Sequence, residues 1–395
     1  MRVLHVIPGL AARYGGPSRA IVGTCLALRY QGVESLILTT DADGPGRLPV
    51  ELARPVNYEG VQVIFFPRQH SEAFKYSRPL AHWLEKNVAS FDLVDIEAVF
   101  SHSSLAAARA CRRAAVAYVV RPLGSLAPWC LSQKRLRKRL LWHAGVKRML
   151  HGAAAIHYTT AKERDQAETT VGLGCGVVIP LGIDEDILNG QKSQGIFRRR
   201  HSALGDDPYV LILCRLHPIK GLELFLRAFL GVTRREEFRH WRLVVAGEGE
   251  PKYVASLKRL AEKQDGDGRV LFTGWVDGAE KVSALQEAAL LALPSHHENF
   301  GLSLVEALAR GVPVLVSTGV NLSQEIAATG AGWVARLEGG DLSKALAEAL
   351  REERERASRG SAGRELVRSR YTWPVVAAQL ADFYRSVARH SEREG

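Results

Sequence analysis

Long apolar runs and paired cysteines are both missing from this sequence. No stretch of apolar residues approaches the roughly 18 that a membrane-spanning helix requires, so we do not expect the chain to cross a bilayer. The five cysteines are dispersed, and no two of them form a Cys-x-x-Cys pair. An odd, scattered set argues against both a metal site and a disulfide framework. These absences predict reduced thiols in a cytoplasmic protein.

The sequence also has too few acidic residues to balance its basic ones. Lysine and arginine together number 53 and aspartate and glutamate 42, which gives a formal net charge of +11. Such an excess suits nucleic acid, an anionic membrane surface or a phosphorylated small molecule. The positive charges are scattered, and no basic patch is interleaved with aromatic residues in the manner of a nucleic-acid-binding surface. We therefore expect no nucleic-acid partner.

Hydrophobic patterning predicts buried strands that alternate with amphipathic helices along most of the chain. The predicted strands are Arg2–Ile7, Ser35–Thr39, Val61–Phe66, Leu93–Ile96, Tyr118–Val120, Tyr209–Cys214, Arg242–Ala246, Val270–Phe272, Leu290–Leu293 and Val314–Ser317. This alternation is typical of doubly wound parallel sheets, whose ligands lie beyond the carboxyl ends of the strands. Polar sequence of poor periodicity from residue 189 to 208 separates two such runs and predicts a domain boundary there.

The strongest chemical pattern is a strand–loop–helix segment over residues 294–313. A buried strand ends at Pro294, a short polar loop contains Glu298, and a helix begins at Leu302. Glu306 lies on that helix, with seven residues between the two glutamates. The free N–H groups and positive dipole at the helix N-terminus suit a phosphate, and the two carboxylates suit sugar hydroxyls. Taken alone, the acids are also explained as a solvated loop residue and a capped helix residue.

Two other loops follow predicted strands and can approach an anion. Arg215 and Lys220 lie between a strand and a helix, where a forked donor and a point charge can reach a diphosphate together. Gly15 and Gly16 follow the first strand, and paired glycines ahead of a helix let the backbone approach a phosphate. This pair is not a Gly-x-Gly-x-x-Gly dinucleotide motif, and a lone glycine pair also occurs in ordinary turns.

Together these motifs resemble glycosyltransferase family 4. The matching segments read Pro-Ser-x-x-Glu-x-Phe-Gly-Leu, Glu-Ala-Leu-Ala-x-Gly-x-Pro-Val and Arg-x-x-x-x-Lys-Gly. The resemblance covers essentially the whole chain and implies the GT-B architecture, an α/β fold in which two doubly wound, Rossmann-like domains face each other across a cleft. It implies an N-terminal, acceptor-side domain of residues 1–188, to which residues 374–395 return, and a donor-binding domain of residues 189–373.

The resemblance also implies a reaction. A hexose passes from a nucleoside diphosphate sugar to a hydroxyl of a glycan or lipid-linked acceptor, with retained anomeric configuration, in cell-surface polysaccharide or glycolipid assembly. Glu298 faces the donor sugar, Glu306 holds the ribose, and Arg215 with Lys220 stabilises the leaving diphosphate, so that no metal and no cofactor is required. Glu298, Arg215 and Lys220 are catalytic candidates. The other residues implied to bind the donor are Gly15, Gly16, Trp275, Val276, Phe300, Gly301 and Leu302.

The chain departs from the family pattern at the end of one strand. Asp95-Ile96-Glu97 stands where family 4 commonly carries His-x-His, whose second histidine lies near the donor sugar. Glu97 is therefore a further catalytic candidate, and we expect it to pair with Arg121 at the end of the next strand and to stay ionised. Two interpretations stay open, an active transferase and a nucleotide-sugar-binding protein with impaired catalysis. Turnover of a nucleotide sugar separates them.

Residues 131–150 carry much of the excess positive charge. On one predicted helix across this range, Leu136, Leu140, Leu141 and Ala144 form an apolar stripe, with cations and Trp142 around it. A basic amphipathic helix suits an anionic lipid surface, which predicts peripheral contact with the inner face of the plasma membrane. The other interpretation is a solvated face whose leucines enter the core.

Overall fold

The computed structural model describes residues 1–173, 176–189, 195–338 and 340–394. By its contacts the chain divides into two compact units, Met1–Gly182 with Trp373–Gly395, and Ile183–Thr372. This division lies ahead of the boundary that the sequence analysis placed between residues 188 and 189. The reason is that the backbone N–H of Ile183 already donates to the carbonyl of Tyr371, at 2.8 Å, within the second unit. The assignment of acceptor and donor to separate domains stays a prediction.

Strands and helices alternate along the described chain. The strands are β1 (Arg2–Val6), β2 (Glu34–Thr40), β3 (Ala42–Asp43), β4 (Gly46–Arg47), β5 (Pro55–Tyr58), β6 (Val61–Phe66), β7 (Leu93–Glu97), β8 (Tyr118–Arg121), β9 (Ala155–Tyr158), β10 (Gly176–Val178), β11 (Tyr209–Leu213), β12 (Arg242–Ala246), β13 (Val270–Gly274), β14 (Leu290–Leu293), β15 (Val314–Ser317) and β16 (Gly332–Ala335). The helices are α1 (Gly16–Arg29), α2 (Arg78–Asn87), α3 (His102–Ala114), α4 (Pro128–Ser132), α5 (Arg135–Leu141), α6 (Lys147–His151), α7 (Ala161–Val171), α8 (Asp186–Asn189), α9 (Ile196–Arg200), α10 (Leu222–Val232), α11 (Pro251–Gln264), α12 (Gly278–Glu287), α13 (Leu302–Ala309), α14 (Ser323–Thr329), α15 (Asp341–Arg351), α16 (Glu353–Arg370) and α17 (Trp373–Glu394). Every strand predicted from the sequence is present.

The first unit is built on a sheet in which the chain winds outward in both directions from β1. In the described residues its strand order is β10-β9-β8-β7-β1-β2-β6-β5, and only the β5–β6 pair is antiparallel. Helix α17 covers one face, where Val376, Leu380 and Tyr384 pack with Val3 and Leu93. Helices on both faces explain why these strands are continuous apolar runs and not alternating ones.

The second unit holds a wholly parallel sheet. Within the described ranges its strand order is β13-β12-β11-β14-β15-β16. The core on one face is formed by Phe225 and Phe229 of α10 and Leu346 of α15 against Ile212 and Val245. The order reverses between β11 and β14, and ligands of doubly wound sheets bind at the carboxyl ends of the strands that flank such a switch point.

The prediction of one continuous helix over residues 131–150 is wrong. Helix α4 ends before Gln133, which is extended, and Lys134 adopts a left-handed conformation ahead of α5. A π-helical turn over Trp142–Val146, with a non-helical Gly145, then leads into α6. Leu141 and Trp142 pack against the core, whereas Leu136 and Leu140 of α5 point into solvent.

Candidate functional site

Two motifs that are remote in the sequence meet at the switch point of the second sheet. Residues 215–221 follow β11, and residues 294–301 follow β14, the neighbouring strand. The backbone N–H of His296 donates to the carbonyl oxygen of Ile219 at 2.7 Å and ties the two loops together. The sheet order therefore places Lys220 of the first loop beside Glu298 of the second.

Gly221 makes this close approach of the loops feasible. Its φ of +63° lies in the left-handed region that glycine tolerates, and a Cβ there would lie 2.2 Å from the carbonyl oxygen of Pro294. Lys220 precedes it in a short 3-10 turn, in which Nδ1 of His217 accepts from the backbone N–H of Ile219 at 3.2 Å. The turn therefore holds Lys220 at a defined place on the sheet edge.

Lys220 forms an ion pair with Glu298, and both side chains are mostly buried. Burial lowers the pKa of Lys220, but the Glu298 carboxylate and Cys214 together raise it, so the pKa lies above the ordinary lysine value. Lys220 is therefore a cation at neutral pH. Arg215 is exposed and makes no hydrogen bond or ion pair with any residue that the structure describes. It is left available for an anionic ligand.

The N-terminus of α13 lies next to Glu298. Gly301, the N-cap residue, has a φ of +82°, and no side chain caps the helix. A Cβ at Gly301 would lie 3.4 Å from Cγ of Glu298. The first N–H groups of a helix lack an intrahelical partner and attract anions, which applies here to Leu302. Phe300 is buried against Tyr371, with ring centroids 5.6 Å apart, so its ring offers almost no surface to a ligand.

Glu306 is paired with a lysine that the sequence analysis did not identify. Nζ of Lys281 lies 2.7 Å from Oε1 and 2.6 Å from Oε2 of Glu306. Lys281 belongs to α12 and Glu306 to α13, and the pair depends on how these two helices pack together. No local sequence signal could have found it.

The segment predicted to contact the nucleobase follows β13. Trp275 is 45% exposed, whereas Val276 is buried. Nε1 of Trp275 donates to Oδ2 of Asp277 at 3.2 Å, which fixes the edge of the indole. An exposed indole at the carboxyl edge of the sheet can stack on a base. Val276 can contribute only a smaller surface or its backbone.

In the first unit, the glycine pair follows β1. Gly15 has a φ of +78° and is the N-cap of α1, and Gly16 is the first helical residue. Tyr14, directly before them, donates through its hydroxyl to Glu72 at 2.5 Å and accepts from the N–H of Gly44 at 3.0 Å. The glycine loop is thus anchored at its base while the start of α1 carries no side-chain cap. Its role toward a donor stays a prediction.

Glu97 lies at the end of β7 and is almost fully buried. Nη1 of Arg121 lies 2.5 Å from Oε1 of Glu97, and each of these side chains is 2% exposed. The two residues are register partners on β7 and β8, and the predicted pairing is confirmed. Burial raises the pKa of Glu97 to about 7, while Arg121 opposes the rise. Burial thus favours the protonated form and Arg121 the ionised form, and the expectation that Glu97 stays ionised remains a prediction.

Asp95, the other departure from the family pattern, points into the same buried layer. The hydroxyl of Tyr384 on α17 donates to its Oδ2, and Nδ1 of His5 lies 3.8 Å from that oxygen. Burial, helped by Arg121, lowers the pKa of His5 to about 3, so the imidazole is neutral. Both acids offer almost no surface to a ligand in this structure, and the catalytic role of Glu97 stays a prediction.

The described residues contain neither a membrane-spanning helix nor a metal-binding cluster. No helix among them is both long and apolar enough to cross a membrane. No three histidine, cysteine, aspartate or glutamate side chains in those ranges gather into a group that could hold a metal ion. The metal independence implied by the resemblance stays a prediction.

Two family models match most of the chain between them. The model for the "Glycosyl transferase 4-like domain" matches residues 15–182, and the model for "Glycosyl transferases group 1" matches residues 193–366. The first match lies within the first unit and the second within the second unit.

Curated relatives match over shorter spans. A GDP-mannose-dependent alpha-(1-6)-phosphatidylinositol monomannoside mannosyltransferase of Mycobacterium tuberculosis is 28% identical over 61% of this chain and 64% of its own length. A phosphatidyl-myo-inositol mannosyltransferase of Mycobacterium leprae is 35% identical over 54% of each chain. A D-inositol 3-phosphate glycosyltransferase of Corynebacterium glutamicum is 26% identical over 55% of this chain and 53% of the relative. The chain thus spans less than two thirds of the length of these relatives.

Solved structures match over nearly the whole chain. HepE of Anabaena, in complex with UDP and glucose, has a TM-score of 0.75 at 19% identity and covers 98% of this chain and 100% of its own. The sucrose-phosphate synthase of Thermosynechococcus elongatus has a TM-score of 0.79 at 19% identity and covers 98% of both chains. The two family models, which together cover most of the chain, show that it belongs to glycosyltransferase family 4, and the structural matches show that it has the GT-B fold.

Proposed function

We propose that this protein is a retaining glycosyltransferase that transfers a hexose from a nucleoside diphosphate sugar to an acceptor hydroxyl. The observation that carries the proposal is the group at the switch point of the second sheet. There the Lys220–Glu298 ion pair adjoins the uncapped N-terminus of α13 in the same loop pair as the unpaired Arg215. Cations and amides suit the leaving diphosphate, and a carboxylate suits the sugar hydroxyls.

In the proposed reaction the acceptor attacks from the face on which the diphosphate departs. The bond from the anomeric carbon to the phosphate oxygen breaks, and its electron pair leaves with the diphosphate. The bond from the acceptor oxygen to the anomeric carbon forms on the same face, and the departing phosphate oxygen takes the acceptor proton. Arg215, Lys220 and the helix amides stabilise the developing negative charge without a metal.

The class of donor and acceptor is supported by relatives. The names of the mycobacterial and corynebacterial relatives specify mannosyl or inositol glycosyl transfer, and HepE binds UDP and glucose. We therefore propose a hexosyl donor and a lipid-linked or glycan acceptor, in glycolipid or cell-surface polysaccharide assembly. Trp275 is the residue we expect to stack on the base.

We also propose that the protein works in the cytoplasm, peripherally on the inner face of the plasma membrane. Leu136 is 79% exposed and Leu140, one turn later on α5, is 72% exposed. Their exposure disfavours the interpretation in which these leucines enter the core. Exposed cations, Lys134, Arg135 and Arg139, surround them. Apolar side chains that insert between lipids and cations that attract anionic headgroups act together at such a surface.

A donor panel tests the proposal. Purified protein is incubated with UDP-, GDP- and ADP-hexoses and a bacterial glycolipid extract, and release of nucleoside diphosphate is measured. We expect one donor to be turned over and NMR of the product to show the anomeric configuration of the donor. An inverted product would contradict retention, and absence of nucleotide binding would contradict the proposal.

A second candidate is a nucleotide-sugar-binding protein with impaired catalysis. The observation that favours it is the burial of Asp95 and Glu97 in place of the family histidines. Tight donor binding that depends on Arg215, with no product after prolonged incubation, would select this alternative.

A further inference from the structure

We infer that Lys281 is a positioning residue that holds Glu306 toward the ribose hydroxyls of the donor nucleotide. The inference rests on the proposed function, since it assigns a role within the same donor site. Lys281 lies outside the motifs that identify the family and is placed only by the packing of α12 beside α13.

The ammonium group of Lys281 lies close to both carboxylate oxygens of Glu306. Nζ of Lys281 lies 2.7 Å and 2.6 Å from the two carboxylate oxygens of Glu306, and each of these side chains is 17% exposed. A carboxylate accepts about four hydrogen bonds. One ammonium that touches both oxygens leaves acceptor capacity on each, which suits the two adjacent hydroxyls of a ribose.

The positive charge of Lys281 can offset repulsion between Glu306 and the diphosphate of the donor. A carboxylate beside a diphosphate meets like charge, and in a partly buried site this repulsion weakens nucleotide binding. A lysine on the carboxylate offsets the repulsion and holds the carboxylate in one orientation. Glu298 has the same arrangement with Lys220, so each glutamate of the family motif carries its own cation.

The position of Lys281 also connects two parts of the site. Its backbone N–H donates to the carbonyl of Asp277 at 3.1 Å, and the side chain of Asp277 accepts from Trp275. Lys281 therefore joins the candidate base-stacking segment to the helix that carries Glu306. A shift of α12 would move both the base contact and the ribose contact.

The experiment compares ribose with deoxyribose. Calorimetry first identifies the tightest binder among UDP, GDP and ADP, and this nucleotide and its 2′,3′-dideoxy counterpart are then titrated into each variant. Lys281→Met should weaken binding of the ribonucleotide by roughly tenfold, as for a charged hydrogen-bonding group, and change binding of the dideoxynucleotide by less than about twofold. Lys281→Arg should stay within about threefold of wild type. Lys263→Met, an exposed lysine on α11, is the matched control and should change neither affinity.

A mutant cycle keeps the inference testable if Lys281→Met folds poorly. In a Glu306→Gln background no negative charge needs compensation, so the added Lys281→Met change should cost no further ribonucleotide affinity. Equal losses for the ribo- and dideoxynucleotide, or additive losses in the cycle, would overturn the positioning role and leave the proposed function intact. If wild-type protein binds none of the three nucleotides, the proposed function fails and the inference with it.

Discussion

Arg215 and Lys220 differ in their surroundings, although both are expected to hold the donor diphosphate. Arg215 is exposed and unpaired within the described residues, whereas Lys220 neutralises Glu298. Arg215→Ala and Lys220→Ala should each weaken the free energy of nucleotide binding by about 1.5–3 kcal/mol, as for loss of a charged hydrogen bond. Calorimetric titration measures this change.

Thermal unfolding should then separate the two variants. Lys220→Ala leaves Glu298 without its partner and should lower stability by about 1–3 kcal/mol. Arg215→Ala removes an exposed side chain and should leave the unfolding temperature nearly unchanged. Unaltered nucleotide affinity in both variants would refute the assignment of this loop.

Glu298 and Glu306 are expected to act on different parts of the donor. Glu298→Gln should depress turnover and leave affinity for the free nucleoside diphosphate nearly unchanged, because we expect this residue to face the sugar. Glu306→Gln should weaken binding of the nucleotide itself, because we expect it to hold the ribose. Titration and initial rates on the same two preparations provide the measurement, and a reversed pattern would show that the roles are exchanged.

The buried Glu97–Arg121 pair should control the stability of the first unit. Arg121→Ala leaves two buried carboxyl groups uncompensated and should cost about 3–5 kcal/mol. Glu97→Gln should cost less, and the double variant should recover part of the loss from Arg121→Ala. Denaturant unfolding measures all three variants, and strictly additive losses would show that the two side chains do not interact.

The same pair has a pH signature. The pKa of Glu97 rises from 4.5 to about 7 on folding, so between these values the folded protein retains a proton that the unfolded chain has lost, and stability falls as pH rises. His5, whose pKa falls to about 3, acts in the opposite direction. The free energy of unfolding of Glu97→Gln relative to wild type should therefore increase across this window. Glu59→Gln, at an exposed acid, should show no such trend.

At the level of elements, the approach of two loops depends on one glycine. Gly221→Ala adds a Cβ that would lie 2.2 Å from a carbonyl oxygen and requires a left-handed alanine. Strain of this kind costs about 1–3 kcal/mol, so both stability and nucleotide affinity should fall as Lys220 moves away. Gly231→Ala on α10 is the control, because nothing lies within 4 Å of its added Cβ and alanine favours a helix. A harmless Gly221→Ala would show that the loops can separate without cost.

The basic segment of residues 131–150 is helical, as its composition predicts, but it is not the single continuous helix that we predicted. Residues 131–150 are helical in pieces, with a break ahead of α5 and a second at the non-helical Gly145. Leu141 and Trp142 support the core. Within this segment, only the exposed Leu136 and Leu140 and the cations around them are available to contact a membrane.

At the scale of the whole molecule, the surplus of positive charge should govern location. Each cation near an anionic surface contributes about 1 kcal/mol, and salt screens the attraction. Wild-type protein should co-sediment with phosphatidylglycerol-containing vesicles at low salt and not with neutral phosphatidylcholine vesicles. Changing Leu136 and Leu140 together to glutamine should weaken this binding, whereas Leu224→Gln, at another exposed leucine, should not. Equal sedimentation with both kinds of vesicle would remove the membrane from the proposal.

The strands, the α/β class and the family motifs could all be predicted from the sequence, because each of these depends on neighbouring residues. A strand buried on both faces needs a continuous apolar run, and a phosphate-binding helix end needs glycine and a helix start in one short segment. The pairing of Glu97 with Arg121 was also accessible, since adjacent parallel strands end at the same edge of a sheet.

Contacts that depend on packing between remote segments could not be predicted from the sequence and are known from the fold. It paired Lys281 with Glu306, turned Asp95 toward Tyr384 on the last helix, and left Leu136 and Leu140 in solvent. Each of these contacts and exposures depends on which elements pack against each other. The sequence pattern along a single helix does not predict that packing. The packing of remote elements also explains the raised pKa of Glu97. The surrounding sheet and helices remove this carboxyl group from water, which raises its pKa toward neutrality, and no local sequence pattern predicts that burial.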